Sequence, residues 1–122
     1  MSEVEQALDS VELSITEAKE KIERSKALER LEKNKDFKAL ILDHLLRENA
    51  INQVRLLASP ALKAPGEQGA MAKAGIEARI SMIGELANFF RWTHMEAESA
   101  RKALDEHEET RQELLAEQLQ ED

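Results

Sequence analysis

The chain has 122 residues, a formal net charge of −8 and no cysteine, so disulfides, thiolate catalysis and cysteine-ligated zinc are excluded. Its length indicates a single domain. With 34% charged residues, 3% aromatic residues, four glycines and two prolines, the composition predicts an all-α fold of long helices.

The first predicted element is a coiled-coil helix over residues 3–33. Ser2 and Glu5 form a Ser-x-x-Glu capping box at its start. The apolar positions then alternate in steps of four and three, which is the spacing of a coiled-coil seam. That seam consists of Val4, Leu8, Val11, Ile15, Ala18, Ile22 and Ser25.

Residues 33–36 form the predicted boundary between the first and second helices. Asn34 or Asp36 can cap a new helix there, because either side chain can accept a hydrogen bond from a backbone N–H of the first turn. Neither glycine nor proline enforces the break, so a continuous helix with a kink is the alternative.

Residues 36–58 are the most continuously apolar stretch of the chain, and they predict a second helix. At the period of an α-helix, one face collects Phe37, Leu40, Ile41, His44, Leu45, Ile51, Val54 and Ala58. Further apolar residues widen this stripe beyond a coiled-coil seam. The helix must therefore be covered on more than one side.

A turn or loop is predicted at residues 59–69, which contain both prolines and two of the four glycines. A third helix follows over residues 68–95, and residues 96–122 continue as an acidic helical tail. Gly75 and Gly84 cost roughly 1 kcal/mol each against alanine in a helix interior, so we expect another helix to approach them closely.

The two central helices match as an antiparallel hairpin when the turn is placed between the two prolines. Phe37 then faces Phe90, and Leu45 faces Met82 or Ile83. A two-helix hairpin cannot enclose the wide apolar stripe of its first helix, and helices draw most of their stability from tertiary packing. We therefore predict an elongated protein that associates into a homo-oligomer.

The same register fails toward the ends of the chain. It brings Ile22 near Leu104, but it places Ala18 opposite Glu109. The first helix therefore has a regular apolar seam, and the C-terminal arm does not offer apolar partners along all of it.

Charge is distributed unevenly along the chain. Residues 1–36 hold seven Lys/Arg and ten Asp/Glu, residues 37–95 hold seven and five, and residues 96–122 hold three and ten. Nucleic-acid binding requires a basic face, so the acidic ends argue against it and favour a protein partner. No secretory signal and no membrane-spanning stretch is recognisable, so we expect no membrane partner.

The histidines do not form a known metal motif. A di-iron bundle needs Glu-x-x-His on two helices, and this pattern is absent. His44 with Glu48 and His94 with Glu98 are spaced to ligate a metal, but a simple histidine–carboxylate pair is the commoner arrangement. Residues 66–73 lack the Gly-Lys-Ser/Thr of a phosphate loop. We predict a non-enzymatic protein with no catalytic residue, cofactor, metal or small-molecule substrate.

Three of the four aromatic residues, Phe89, Phe90 and Trp92, lie within four positions of one helix. Core packing is their ordinary role. The alternative is that Phe89 and Trp92 anchor a subunit or a partner, because buried aromatics dominate interface energies. The predicted interface residues are Leu8, Val11, Ile15, Ile22, Phe89 and Trp92.

Residues 31–38, continued by Ile41 and Leu42 and by the apolar segment 50–57, resemble small helical proteins encoded among the head and packaging genes of tailed bacteriophages. In that group an Asn-x-Asp-Phe segment opens an apolar helix, a short loop follows, and a second helix carries an Ile-Gly-x-Leu-x-x-Phe-like segment, which residues 83–89 match. The resemblance implies a virion or assembly-module protein. It transfers no active site.

We therefore expect a structural or interaction protein of a tailed phage, which acts in virion or head assembly by self-association or by docking on a larger complex. Its partners would be phage structural proteins or a host protein, in the host cytoplasm or the virion. One alternative is a phage regulator or inhibitor that binds a host protein through its acidic C-terminal helix. Another is a DNA-packaging factor akin to a small terminase subunit, against which the missing helix-turn-helix counts.

Overall fold

The computed structural model describes residues 2–63 and 65–121, and within these residues the chain is helical with no strand. The all-α prediction is therefore confirmed. The elements in chain order are α1 (Glu3–Lys33), α2 (Lys35–Phe37), a π-helix (Lys38–Asn49), α3 (Ala50–Leu56), a 3-10 helix (Pro60–Lys63) and α4 (Glu67–Glu121).

Side-chain caps mark the starts of α1 and α2. The Ser2 hydroxyl oxygen accepts a hydrogen bond from the Glu5 backbone N–H at 3.2 Å, which is one half of the predicted capping box. Asn34 has an extended backbone (φ −73°, ψ 126°), and its Oδ1 accepts from the Phe37 N–H at 2.9 Å. Asn34 therefore breaks the helix and caps the next one, whereas Asp36 lies inside α2.

The segment Lys38–Asn49 is wound as a π-helix, in which hydrogen bonds span five residues, and not as the predicted α-helix. The wider turn moves side chains away from the faces expected at a period of 3.6 residues. Leu40, Ile51 and Val54 are exposed although the pattern placed them on the inward face, and Gln53 is buried. The predicted face is therefore wrong at these positions.

The connection between α3 and α4 lies in the predicted turn region and contains the short 3-10 helix Pro60–Lys63. Gly66, just before α4, has a φ of +89°, a left-handed conformation that glycine adopts without steric cost. From Glu67 onward α4 is one uninterrupted helix to Glu121, so it includes both the second central helix and the acidic tail.

Gly75 and Gly84 lie inside α4 with open space beside them. A β-carbon built at either position meets no atom of another part of the chain within 4 Å. The expectation that another helix of the chain approaches these glycines closely is therefore wrong. What remains is the ordinary helix-propensity cost of glycine.

The chain divides into two compact units. The first, unit 1, combines residues 1–28 with residues 92–122, so it contains most of α1 and the C-terminal part of α4. Its buried residues are Val4, Ile15, Ala18, Ile22, Ser25, Leu28, Ala97 and Ala100. Small side chains on α4 thus let the two helices of unit 1 pack closely.

The helix register inside unit 1 agrees with the predicted proximity of Ile22 to Leu104 and differs from the prediction at Ala18. Ala18 and Ile22 form a buried cluster with Ala100, and Leu104 packs against that cluster. Ala18 packs with Ala100, so the prediction that it faces Glu109 is wrong. The observed packing keeps apolar groups together, whereas the predicted one would place the Glu109 carboxylate against them.

The second unit, unit 2, comprises residues 29–91. The rings of Phe37 and Phe90 lie with their centroids 5.9 Å apart, in agreement with the predicted pairing of these two residues. Farther along, the Arg79 Nη1 donates a hydrogen bond to the Gln53 Oε1 at 3.3 Å. From the first contact to the second, the residue number rises from 37 to 53 along the segment from α2 to α3 and falls from 90 to 79 along α4. The helices within this unit therefore run antiparallel.

Candidate interaction surfaces

The predicted interface residues of α1 are largely occupied by packing within unit 1. Ile15 and Ile22 are only 2% and 9% exposed. Leu8 and Val11 are half-buried. A partner that binds this unit therefore meets the surface around these residues and not the core side chains themselves.

The three neighbouring aromatic residues of α4 take two different roles. Phe90 is half-buried, and its ring lies 5.9 Å from Phe37 and 5.9 Å from Phe89, measured between centroids. Phe89 in unit 2 and Trp92 in unit 1 are 61% and 57% exposed. Of the roles left open by the sequence, Phe90 takes core packing, whereas Phe89 and Trp92 are accessible to a partner.

A groove of about 500 Å³ runs between α1 and α4 within unit 1. Ala18, Ala100 and Ala103 line it, and Ala18 and Ala100 are only 5% exposed, so these alanines form its floor. Trp92 and Met95, which is 49% exposed, provide large apolar surface along the groove. This groove was not predicted, because alanine is an ordinary helix former and its positions in the sequence do not indicate a groove.

Unit 1 is strongly acidic around this groove. Residues 1–28 and 92–122 together hold 17 Asp/Glu and seven Lys/Arg. Glu17 and Glu96 line the groove, together with the single lysine Lys21. The excess of carboxylates, which is small in the groove lining and large over the whole unit, favours a positively charged occupant.

A polar pair links the two helices of unit 1 from within. The Ser25 Oγ lies 2.7 Å from the His94 Nδ1, and Ser25 is 1% exposed. At the surface of the same unit, the Arg111 Nη1 lies 3.4 Å from the Glu12 Oε1. The exposed ion pair contributes little to stability, so the buried pair is the more informative contact for the register.

Unit 2 buries few large apolar side chains and exposes many. Among the residues of this unit that the structure describes, the buried large apolar ones are Ile76 and Ile83. Nine others in this unit are exposed, namely Leu31, Leu40, Ile51, Val54, Leu56, Leu57, Met71, Met82 and Phe89. Contiguous exposed apolar patches are typical of association surfaces, which makes these side chains candidates for one.

A groove of about 230 Å³ between the helices of unit 2 combines apolar and amide groups. It is lined by Leu45, Asn49 and Met82, and Met82 lies at its exposed edge, at 70% exposure. Gln53 is 8% exposed, and its Nε2 donates to the Asn49 Oδ1 at 3.4 Å while its Oε1 accepts from Arg79. The amide of Gln53 is therefore satisfied on both sides, as a buried polar group requires.

The described residues contain neither a metal-ligand cluster nor a helix that could span a membrane. His44 Nδ1 lies 3.0 Å from Glu48 Oε2 on the exposed surface of the π-helix. Across residues 2–63 and 65–121, no three His, Asp or Glu side chains are grouped so as to hold a metal ion. Over the same residues, no helix has the length and apolar character needed to cross a bilayer.

Comparisons with protein-family models, with curated proteins and with solved structures found no match to this chain.

Proposed function

We propose that the chain is a non-enzymatic helical interaction protein that associates with itself through the exposed apolar surface of unit 2. The observation that carries this proposal is the incomplete burial of large apolar side chains among the described residues of unit 2, where two are buried, nine are half-buried and nine are exposed. Removal of apolar surface from water is the main favourable contribution to most protein–protein association. A second copy provides the same surface in a symmetric arrangement.

The charge of unit 2 supports a second copy as the occupant. Residues 29–91 hold ten Lys/Arg and eight Asp/Glu, which leaves this unit close to neutral. Two copies therefore meet through these surfaces without strong like-charge repulsion. Unit 1 would oppose such a meeting, because its 17 Asp/Glu outnumber seven Lys/Arg.

The biological setting in this proposal rests on the resemblance of residues 28–95 to tailed-phage proteins. In this proposal the chain is a component or an assembly factor of a virion head, and it is present in the host cytoplasm or the virion. Self-association then supplies either a repeated structural subunit or an oligomer that docks on a larger phage complex.

A second candidate function is a phage regulator that binds a host protein. The acidic surface of unit 1 favours this candidate, because it offers a charged site distinct from the near-neutral surface of unit 2. In this case association of unit 2 would present unit 1 in more than one copy, which raises its avidity for a partner.

Density-gradient fractionation of infected cells separates these two functions. An assembly protein is expected to migrate with virions or with head assembly intermediates when the fractions are probed with an antibody against the chain. Recovery only in light fractions, without particles or intermediates, would contradict the assembly function and favour the regulator.

A further inference from the structure

We infer that the groove of unit 1 binds a basic amphipathic helix of a partner protein. This inference deepens the proposed function, on which it rests for the chain's role as an interaction protein, because it names the chemistry of the partner. It concerns a surface other than the apolar surface of unit 2.

The shape of the groove suits a helix. Its lining residues on α4 extend from Trp92 to His107, a distance of about 22 Å at 1.5 Å per residue. A helix of about four turns spans that length and places side chains at every third or fourth position along one face. Side chains on that face of the partner helix pack against the alanine floor, which is the helix-in-groove mode of recognition.

The apolar walls of the groove give the partner helix its anchor. Trp92 and Met95 are exposed on the same groove, at 57% and 49%. Aromatic and methionine side chains are enriched in the centres of protein interfaces, and methionine adapts its shape to different partners. The partner face toward the groove is therefore apolar.

Charge decides which helix occupies the groove. Unit 1 holds 17 Asp/Glu and seven Lys/Arg, and the groove itself is lined by two carboxylates, Glu17 and Glu96, and one amine, Lys21. A second unit 1 would bring the same acidic surface against itself, and like-charge juxtaposition opposes that pairing. A helix with lysine and arginine flanking its apolar face complements the carboxylates instead.

Trp92 makes the inference directly measurable, because it is the chain's single tryptophan and it lines the groove. The probe is a tryptophan-free synthetic peptide of about 16 residues, long enough to span the groove as a helix. It carries leucines at heptad spacing and lysines at the flanking positions. A matched peptide keeps the leucines and replaces every lysine by glutamate.

Titration of the full chain with the basic peptide is expected to shift Trp92 emission to shorter wavelength, and added salt is expected to weaken the binding. The acidic peptide is expected to bind at least about tenfold more weakly. The inference is overturned if the basic peptide produces no shift, or if both peptides bind equally well.

Two charge-reversal variants distinguish the groove from the overall charge of unit 1. E17K/E96K changes carboxylates that line the groove and is expected to weaken the basic peptide by about tenfold or more. E20K/E98K makes the same change in net charge at exposed positions outside the groove and is expected to have a clearly smaller effect. Equal losses in the two variants would contradict a binding site in the groove.

All four glutamates are exposed, so both variants are expected to fold, and circular dichroism checks this point. The mass of each variant by light scattering reports self-association separately. Retained mass with lost peptide binding is expected for E17K/E96K. If the chain is monomeric and still binds the basic peptide, the result supports the groove as a binding site. The same result contradicts self-association through unit 2.

Discussion

The Ser25 Oγ lies 2.7 Å from the His94 Nδ1 and joins α1 to α4 inside unit 1. Ser25 occupies a position of the predicted coiled-coil seam where an apolar residue is usual, and it is 1% exposed, whereas His94 is half-buried. A hydrogen bond has strict geometry, whereas apolar residues tolerate sliding by one turn. We therefore assign to this pair the selection of the helix register in unit 1.

Removal of this hydrogen bond is expected to destabilise the chain. S25A should lower the free energy of unfolding by about 0.5–1.5 kcal/mol, because it removes the hydrogen bond between Ser25, which is buried, and His94, which is half-buried. The matched control is S14A, whose hydroxyl bonds only to the Ser10 carbonyl of its own helix. That variant should change stability by less than about 0.5 kcal/mol. Urea unfolding at fixed protein concentration measures both, and equal effects would show that Ser25 has no special role.

The helix break at Asn34 gives a second prediction. N34A removes the side-chain acceptor of the Phe37 N–H and should cost about 1 kcal/mol. N88A, at an exposed position inside α4, is the control and should be neutral or slightly stabilising, since alanine is the better helix former. If N34A instead stabilises the chain, then α1 continues into the next helix without a capped break.

The glycines of α4 give a prediction of opposite sign. G75A and G84A should each stabilise the chain by roughly 0.5–1 kcal/mol, because open space surrounds both positions and alanine restricts the unfolded chain. G66A should destabilise it, because the φ of +89° is strained for alanine. Thermal unfolding of the three variants tests this order, and a loss of stability in G84A would show that a second chain packs against that position.

The roles of Trp92 and Ile22 in stability should differ sharply. W92A should leave helicity and the unfolding midpoint nearly unchanged, because this side chain is 57% exposed. I22A should cost about 2–5 kcal/mol, because Ile22 belongs to the buried cluster with Ala18 and Ala100. Circular dichroism during urea unfolding compares them. If W92A collapses the fold, Trp92 is a core residue, and both its anchoring role and its use as a groove reporter would be contradicted.

Sequence was sufficient where local chemistry decides the structure. The caps at Ser2 and Asn34 follow from single side chains that accept hydrogen bonds from a nearby backbone, and the glycine–proline segment at residues 59–69 marks the connection before α4. The pairing of Phe37 with Phe90 also followed from counting residues away from that connection.

Sequence was insufficient where winding and long-range packing decide it. A period of 3.6 residues was assumed for Lys38–Asn49, and the π-helix changes which residues face inward, so that Gln53 is buried and Leu40 is 64% exposed. The contact of Ala18 with Ala100 was missed because small residues recur along α4 and several registers look similar from their pattern. The groove of unit 1 depends on that register and was missed with it.

The most direct test of association through unit 2 compares two leucines of nearly equal exposure. Leu40 in unit 2 is 64% exposed and Leu13 in unit 1 is 61% exposed. Glutamine has a helix propensity close to that of leucine, so L40Q and L13Q each remove apolar surface with little effect on the helix. Adding M82Q to L40Q removes a second exposed side chain of unit 2.

Multi-angle light scattering across a concentration series gives the mass of each form. The unmodified chain and L13Q are expected at a multiple of 13.8 kDa, and L40Q/M82Q is expected to shift toward the 13.8 kDa monomer at the same concentrations. A mass of 13.8 kDa for the unmodified chain at every concentration, or equal losses of mass in L13Q and L40Q/M82Q, would contradict association through the apolar surface of unit 2.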